Sequence, residues 1–147
     1  MRRNVLLAAT GLALLILLVA GAAWLPISHR AESAQIAAGR EIYAAHCASC
    51  HGADLQGQPD WQTRLPNGRL PAPPHDTSGH TWHHSDDQLF TIVKKGLSAI
   101  VPDYESDMLP FEGALTDDQV RAVLDFIKSK WPEREREFQA RRSEPGK

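Results

Sequence analysis

The chain has 147 residues, with 16 Lys and Arg against 18 Asp and Glu and a net charge of −2. That balance offers no electrostatic grip on nucleic acid. Two cysteines in all exclude a four-cysteine zinc site and, with no other cysteine to complete a second pair, argue against closed zinc sites in general.

Met1-Arg2-Arg3-Asn4 is followed by an apolar run from Val5 to Leu25, broken only by Thr10, Gly11 and Gly21. At ~1.5 Å per residue the run reaches about 31 Å, enough to cross a bilayer core. Residues 1–25 are therefore expected to form a single-pass transmembrane anchor. Arg2 and Arg3 would stay cytoplasmic, and a linker over 26–33 would lead to a domain on the periplasmic or extracytoplasmic side. Ala20-Gly21-Ala22 leaves open a cleaved signal peptide and a secreted or periplasmic product, although the run exceeds the ~7–15 residues usual for a signal core. Setting Arg2 and Arg3 aside leaves 14 of the 16 basic residues against 18 acidic ones, so the exported part carries −4. Its length, about 120 residues, suits one domain without internal repeats.

A first helix is expected from Ala34 to Ala45, with Ile36, Gly39, Ile42 and Tyr43 facing inward. It delivers Cys47-Ala48-Ser49-Cys50-His51. Two thiols three positions apart can each add across a vinyl group of haem, and the next residue is a neutral imidazole able to reach the iron. Cys47 and Cys50 are the expected cofactor-binding residues, His51 an iron ligand, and one covalent haem c the cofactor. A thioredoxin-type pair would open a helix after a buried strand, and no strand-like run precedes Cys47. A plain Cys47–Cys50 disulfide is the remaining alternative, and it leaves His51 unexplained.

Between His51 and Ser85 there is no helical period, and Pro59, Pro66, Pro71, Pro73 and Pro74 interrupt the chain. Leu65-Pro66-Asn67-Gly68-Arg69-Leu70 reads as a turn, because Pro presets φ and Asn-Gly tolerates positive φ. The stretch is a long wrapping loop, and a haem gives it something to line. It ends in a cluster of His75, His80, His83 and His84. On a helix His80 and His84 would share a face and could hold a metal, but Gly79 and Ser85 argue for an extended or turned backbone. These imidazoles, with Trp82, are read as packing at the haem edge or bonding its propionates. A periplasmic metal-binding module built on the cluster is an alternative.

Ser85 and Gln88 form a capping box for a second helix, striped by Leu89, Ile92, Val93 and Leu97 and stopped by Gly96. Asp86 and Asp87 complement its N-terminus, Lys94 and Lys95 its C-terminus. Thr116 and Gln119 repeat the box for a third helix, where Leu115 can staple onto Val120. Val120, Val123, Leu124, Ile127 and Trp131 face inward and Pro132 ends the helix. Glu133 to Lys147 alternates charges around a lone Phe138 and reads as a solvated tail or frayed helix.

Met108 is the only methionine besides Met1 and lies 57 residues after His51 in an unpatterned loop. It is the expected second iron ligand, with the four loop histidines as competitors. No enzyme motif emerges: there is no nucleophile elbow, phosphate-cradling glycine loop or His-Glu-x-x-His helix. Catalysis or small-ligand sensing would need an open sixth position at the iron, and that is the alternative function.

These residues resemble the class I monohaem c-type cytochromes over about residues 34–131. The shared pattern is Gly39 to Tyr43 on a helix leading to Cys47-Ala-Ser-Cys-His51-Gly52, then Ala72-Pro73-Pro74, a single methionine in a Pro-bearing loop, and a last helix with Phe126. The resemblance implies an all-α domain of three to four helices over 34–132 around one haem, carrying single electrons between redox partner proteins, with a charged tail over 133–147. It implies that the first and last helices cross closely at Gly39, setting Tyr43 beside Phe126. It also implies that the His51 ring donates to the carbonyl of Pro73. A membrane anchor would favour membrane-bound partners. Two departures stand out: Leu109 separates Met108 from Pro110, and Trp61 to Leu70 is insertion-like.

Overall fold

The computed structural model describes residues 29–144, so the expected anchor from Val5 to Leu25 lies outside the described residues. None of the described helices is long and apolar enough to cross a membrane. The chain divides after Ala34 into two compact units, and the second, Gln35–Lys147, carries the core and the site described below. The described residues are helical or irregular, with no strand among them.

Helix α1 covers residues 29–46. It starts earlier than the expected Ala34, and residues 29–33, expected as linker, are helical. No Pro or Gly interrupts 29–38, and the Ser33 hydroxyl donates back to the His29 carbonyl at 2.8 Å. Helix α2, Ala48–His51, is a single turn. After the loop, Thr81–His83 makes a 3₁₀ turn, α3 spans Asp86–Lys95, Leu97–Ala99 makes a second 3₁₀ turn, and α4 spans Asp117–Ser129. Both expected capping boxes are formed, Ser85 with Gln88 and Thr116 with Gln119. Each satisfies two amide donors that the first helical turn leaves without partners.

Helix α4 is the core element. Val120, Val123, Leu124, Phe126 and Ile127 are buried on it and cluster with Tyr43, Leu55, Leu89, Leu115 and Trp131. Trp131 is buried as expected but lies past the end of α4, and Pro132 caps the next helix rather than closing the chain's ordered part. Gly39 is where α1 and α4 meet: a Cβ there would lie 1.9 Å from the Ala122 carbonyl oxygen. Only glycine permits the backbones to approach that closely. One turn later Tyr43 packs on Phe126 with ring centroids 5.4 Å apart. Lys94 fastens α3 to the start of α4, donating to the Leu115 carbonyl at 2.8 Å and pairing with Asp117 at 2.9 Å.

The segment expected as a solvated tail or frayed helix is instead a docked helix, α5, Glu133–Arg142, with Glu135 and Gln139 buried. Gln139 Nε2 donates to Asp86 Oδ1 at 2.9 Å, and Ser143 Oγ accepts from the Asp86 amide at 2.9 Å. Lys128 of α4 pairs with the same Asp86 carboxylate at 3.0 Å. Phe138 packs edge-on against Trp82, centroids 5.3 Å apart. The docking face is polar apart from Phe138, which is why apolar periodicity does not reveal it.

Candidate functional site

The end of α1 and the turn of α2 form one backbone unit. The Cys47 amide bonds the Tyr43 carbonyl at 2.8 Å, and the Cys47 carbonyl accepts from the amides of Cys50 at 3.1 Å and His51 at 2.9 Å. Residues three and four apart on such a turn are neighbours, so Cys47 has both Cys50 and His51 beside it. Gly52 ends the turn at φ +81°. Both cysteines are free thiols rather than a disulfide, Cys47 partly buried and Cys50 exposed. Burial, reinforced by Cys50, pushes the Cys47 thiol up to about 11.

His51 is buried, and its Nδ1 lies 2.9 Å from the Pro73 carbonyl oxygen, as the resemblance implies. A carbonyl only accepts, so Nδ1 carries the proton and Nε2 keeps its lone pair. Burial lowers the His51 pKa, and the Pro73 bond partly opposes this. The neutral imidazole is the form that binds a metal.

Pro73 is held in place by the loop around it. The Gln58 amide bonds the Ala72 carbonyl at 2.9 Å, and the Gln58 side chain accepts from the Ala72 amide at 2.8 Å. The His75 amide bonds the Leu55 carbonyl at 2.7 Å. Gly57, at φ +69°, has no room for a side chain, because a Cβ would come within 2.5 Å of the Pro74 nitrogen.

The histidine cluster divides. The His75 ring stacks on His51 with centroids 4.0 Å apart and planes 21° apart, and its Nδ1 lies 2.8 Å from Thr81 Oγ1. Burial holds its pKa well below the ordinary value, with His51 and His80 adding to the effect. His80 stacks on Trp61 at 5.5 Å and meets His84 edge-on at 5.4 Å, while His83 packs on Trp82 and Phe138. No group of three or more His, Cys, Asp or Glu among the described residues is placed to hold a metal ion. The four rings thus do not form one three-ligand group: His75 is drawn to His51 and Thr81, whereas His80 and His84 remain neighbours.

Met108 is half-buried on an irregular segment between the second 3₁₀ turn and α4. Its amide donates to Ser106 Oγ at 3.1 Å. The segment is fixed at Arg69, which pairs with Asp107, and at Phe111, whose amide bonds the Val93 carbonyl at 3.0 Å. Leu109, standing between Met108 and Pro110, is 75% exposed.

The donor set suits a ring carrying carboxylates and a metal. Two thiols and a carbonyl-held imidazole share one turn, and the buried Trp82 Nε1 has no hydrogen-bond acceptor. A bound carboxylate-bearing group supplies such acceptors. Sequence reasoning missed the His75 stack, the Arg69 pair and the docked α5. The one prior signal for any of them was the insertion-like character of 61–70.

Fold and site together define a small all-α domain built for a covalently held haem. The chain belongs to the cytochrome c family, whose model, "Cytochrome c", matches residues 36–131. It is similar to cytochrome c-555 of Prosthecochloris aestuarii, 31% identical over 71 residues that cover 44% of this chain and 72% of the relative. It is also similar to the cbb3-type cytochrome c oxidase subunit CcoP of Rhodobacter capsulatus, 26% identical over 101 residues, 67% of this chain and 30% of that subunit. No solved structure matches the chain significantly. Membership makes covalently bound haem c, with its iron, the cofactor, and electron transfer the activity it supports.

Proposed function

We propose that this protein is a single-haem, one-electron carrier. Cys47 and Cys50 would hold the ring through thioethers, and His51 and Met108 would bind its iron. Each thiol S–H would add across a vinyl group, sulfur to one carbon and hydrogen to the other, so that attachment needs no oxidant. The observation that carries the reading is the 2.9 Å contact between His51 Nδ1 and the Pro73 carbonyl on the turn that bears both thiols. It fixes the tautomer and orients the ring, the role such outer partners play for metal-bound histidines. Haem iron supplies the one-electron couple. The chain's part is to bind, orient and bury, and thioether ligation raises the potential relative to two imidazoles.

The apolar run from Val5 to Leu25 supports a tethered domain on the exported side of a membrane. Likeness to an oxidase subunit supports redox partner proteins, and such a tether would favour membrane-bound ones.

The test combines extraction with spectroscopy. Haem should stay with the denatured chain in acid–acetone, whereas Cys47→Ala and Cys50→Ala should lower holoprotein yield sharply. Met108→Ala should abolish the weak red-region sulfur-to-iron band of the ferric protein, lower the potential and open the sixth position to cyanide. Freely extracted haem would overturn the thioether assignment, and an unchanged ferric spectrum in Met108→Ala would move the sixth ligand elsewhere.

A further inference from the structure

We infer that Arg69 is a positioning residue for Met108, a latch by which the insertion-like turn over 61–70 holds the loop of the sixth ligand closed. The inference rests on the assignment of Met108 as that ligand.

The turn presents Arg69 from a stiff base. Its carbonyl accepts from the Leu65 amide at 2.8 Å, its amide donates to Asn67 Oδ1 at 3.0 Å, and the Gly68 amide bonds the Leu65 carbonyl at 2.8 Å. Arg64 adds a bond from Nη1 to the Gly68 carbonyl at 2.6 Å. From this base the guanidinium reaches two acidic residues beside Met108. Nη1 bonds Asp107 Oδ1, and Nε lies 3.7 Å from Glu105 Oε2. Between those acids Ser106 accepts the Met108 amide, so three consecutive residues before Met108 are engaged. On the far side the next anchor is Phe111. Leu109, largely exposed, contributes little packing. Met108 is therefore suspended between Arg69 and Phe111. Of the two lysines ending the helix that anchors Phe111, Lys94 is committed to Leu115 and Asp117. Arginine suits the latch because its fixed fork of donors can engage two carboxylates at once.

The expected effect is modest, because both acids are more than half exposed and such pairs are weak and salt-screened. A small ligand that binds only when Met108 is detached has an apparent affinity proportional to the open fraction. Imidazole is such a probe. In ferric holoprotein at low salt, Arg69→Gln should raise apparent imidazole affinity about 1.5- to fivefold while keeping the sulfur-to-iron band. High salt should narrow the gap between variant and wild type. Asp107→Asn should act in the same direction and serves if Arg69→Gln folds poorly. The swap Arg69→Asp with Asp107→Arg should recover part of the wild-type affinity, which a merely structural role for either residue would not produce.

If the sulfur band is present and abolished by Met108→Ala, yet Arg69→Gln and Asp107→Asn leave imidazole affinity and its salt dependence unchanged, the latch is refuted while the ligand assignment stands. If the wild type lacks the band, or Met108→Ala leaves imidazole binding unchanged, the ligand assignment fails and the latch fails with it.

Discussion

Replacing Gly39 by alanine tests whether the crossing of α1 and α4 is set by backbone contact. Helix propensity alone favours alanine by about 1 kcal/mol at an interior helical position. The crossing opposes this, because the new Cβ would stand 1.9 Å from the Ala122 carbonyl oxygen and 3.1 Å from Phe126 Cβ. Relief to an ordinary carbon–oxygen contact of about 3.3 Å requires the helices to part by roughly 1.4 Å. The obstacle is main chain, so no rotamer change relieves it. Gaps of ~0.5–1 Å already forfeit a quarter to a half of each dispersion contact, and the Tyr43–Phe126 pair lies in the interface that must open. Overpacking of this kind costs about 1–3 kcal/mol and occasionally more. With the pair contact weakened and the propensity gain subtracted, we expect a net loss of roughly 0.5–3.5 kcal/mol. The assay is guanidinium unfolding of the holoprotein, read as a lowered midpoint at unchanged m. Ala38→Gly at the exposed neighbouring position is the control and should cost about 1 kcal/mol from propensity alone. A Gly39→Ala variant as stable as wild type, or more stable, would refute the close-crossing argument.

Asp86 should make stability depend on acid. Burial pushes its carboxyl up, but the bonds from Lys128, Gln139 and Ser143 outweigh that and hold its pKa below the ordinary 3.8. A depressed folded pKa gives a contribution that is complete above the unfolded value and lost as pH falls through the folded one. Unfolding midpoints should therefore decline below about pH 4, less steeply in Asp86→Asn, and equal acid slopes in the two proteins would contradict this. The tether is tested by fractionating cells and sequencing the N-terminus. A start at Met1 or Arg2 in the membrane pellet is expected, whereas a start near Ala23 in the soluble fraction would mean a cleaved, freely diffusing carrier.

The parts of this molecule that were legible in the sequence are those fixed by local grammar. Ser85 and Gln88, or Thr116 and Gln119, announce a helix start because the partners that satisfy the first amides lie three residues apart. Cys47, Cys50 and His51 are legible for the same reason, since one turn of chain holds the whole thiol and imidazole set. Helix α5 was not legible because its docking relies on Gln139 and Ser143 reaching Asp86, more than 50 residues away in the chain, instead of an apolar stripe. The stack of His75 on His51 was hidden likewise. Four histidines close together invite a shared site, yet it is the Leu55 carbonyl, holding the His75 amide, that helps draw one of them from its neighbours.

The acceptor chosen for the His51 ring is main chain, and that has a consequence for how the protein behaves over time and across conditions. A carboxylate in that place would gain or lose a proton with acidity, and its charge would pull on the imidazole in one state and not the other. The Pro73 carbonyl has neither a titratable proton nor a full charge to vary. It also belongs to no side chain, so it survives any exchange of residue 73 that leaves the backbone path intact. The orientation of the ring is thereby separated both from the surrounding pH and from point substitution at its own partner.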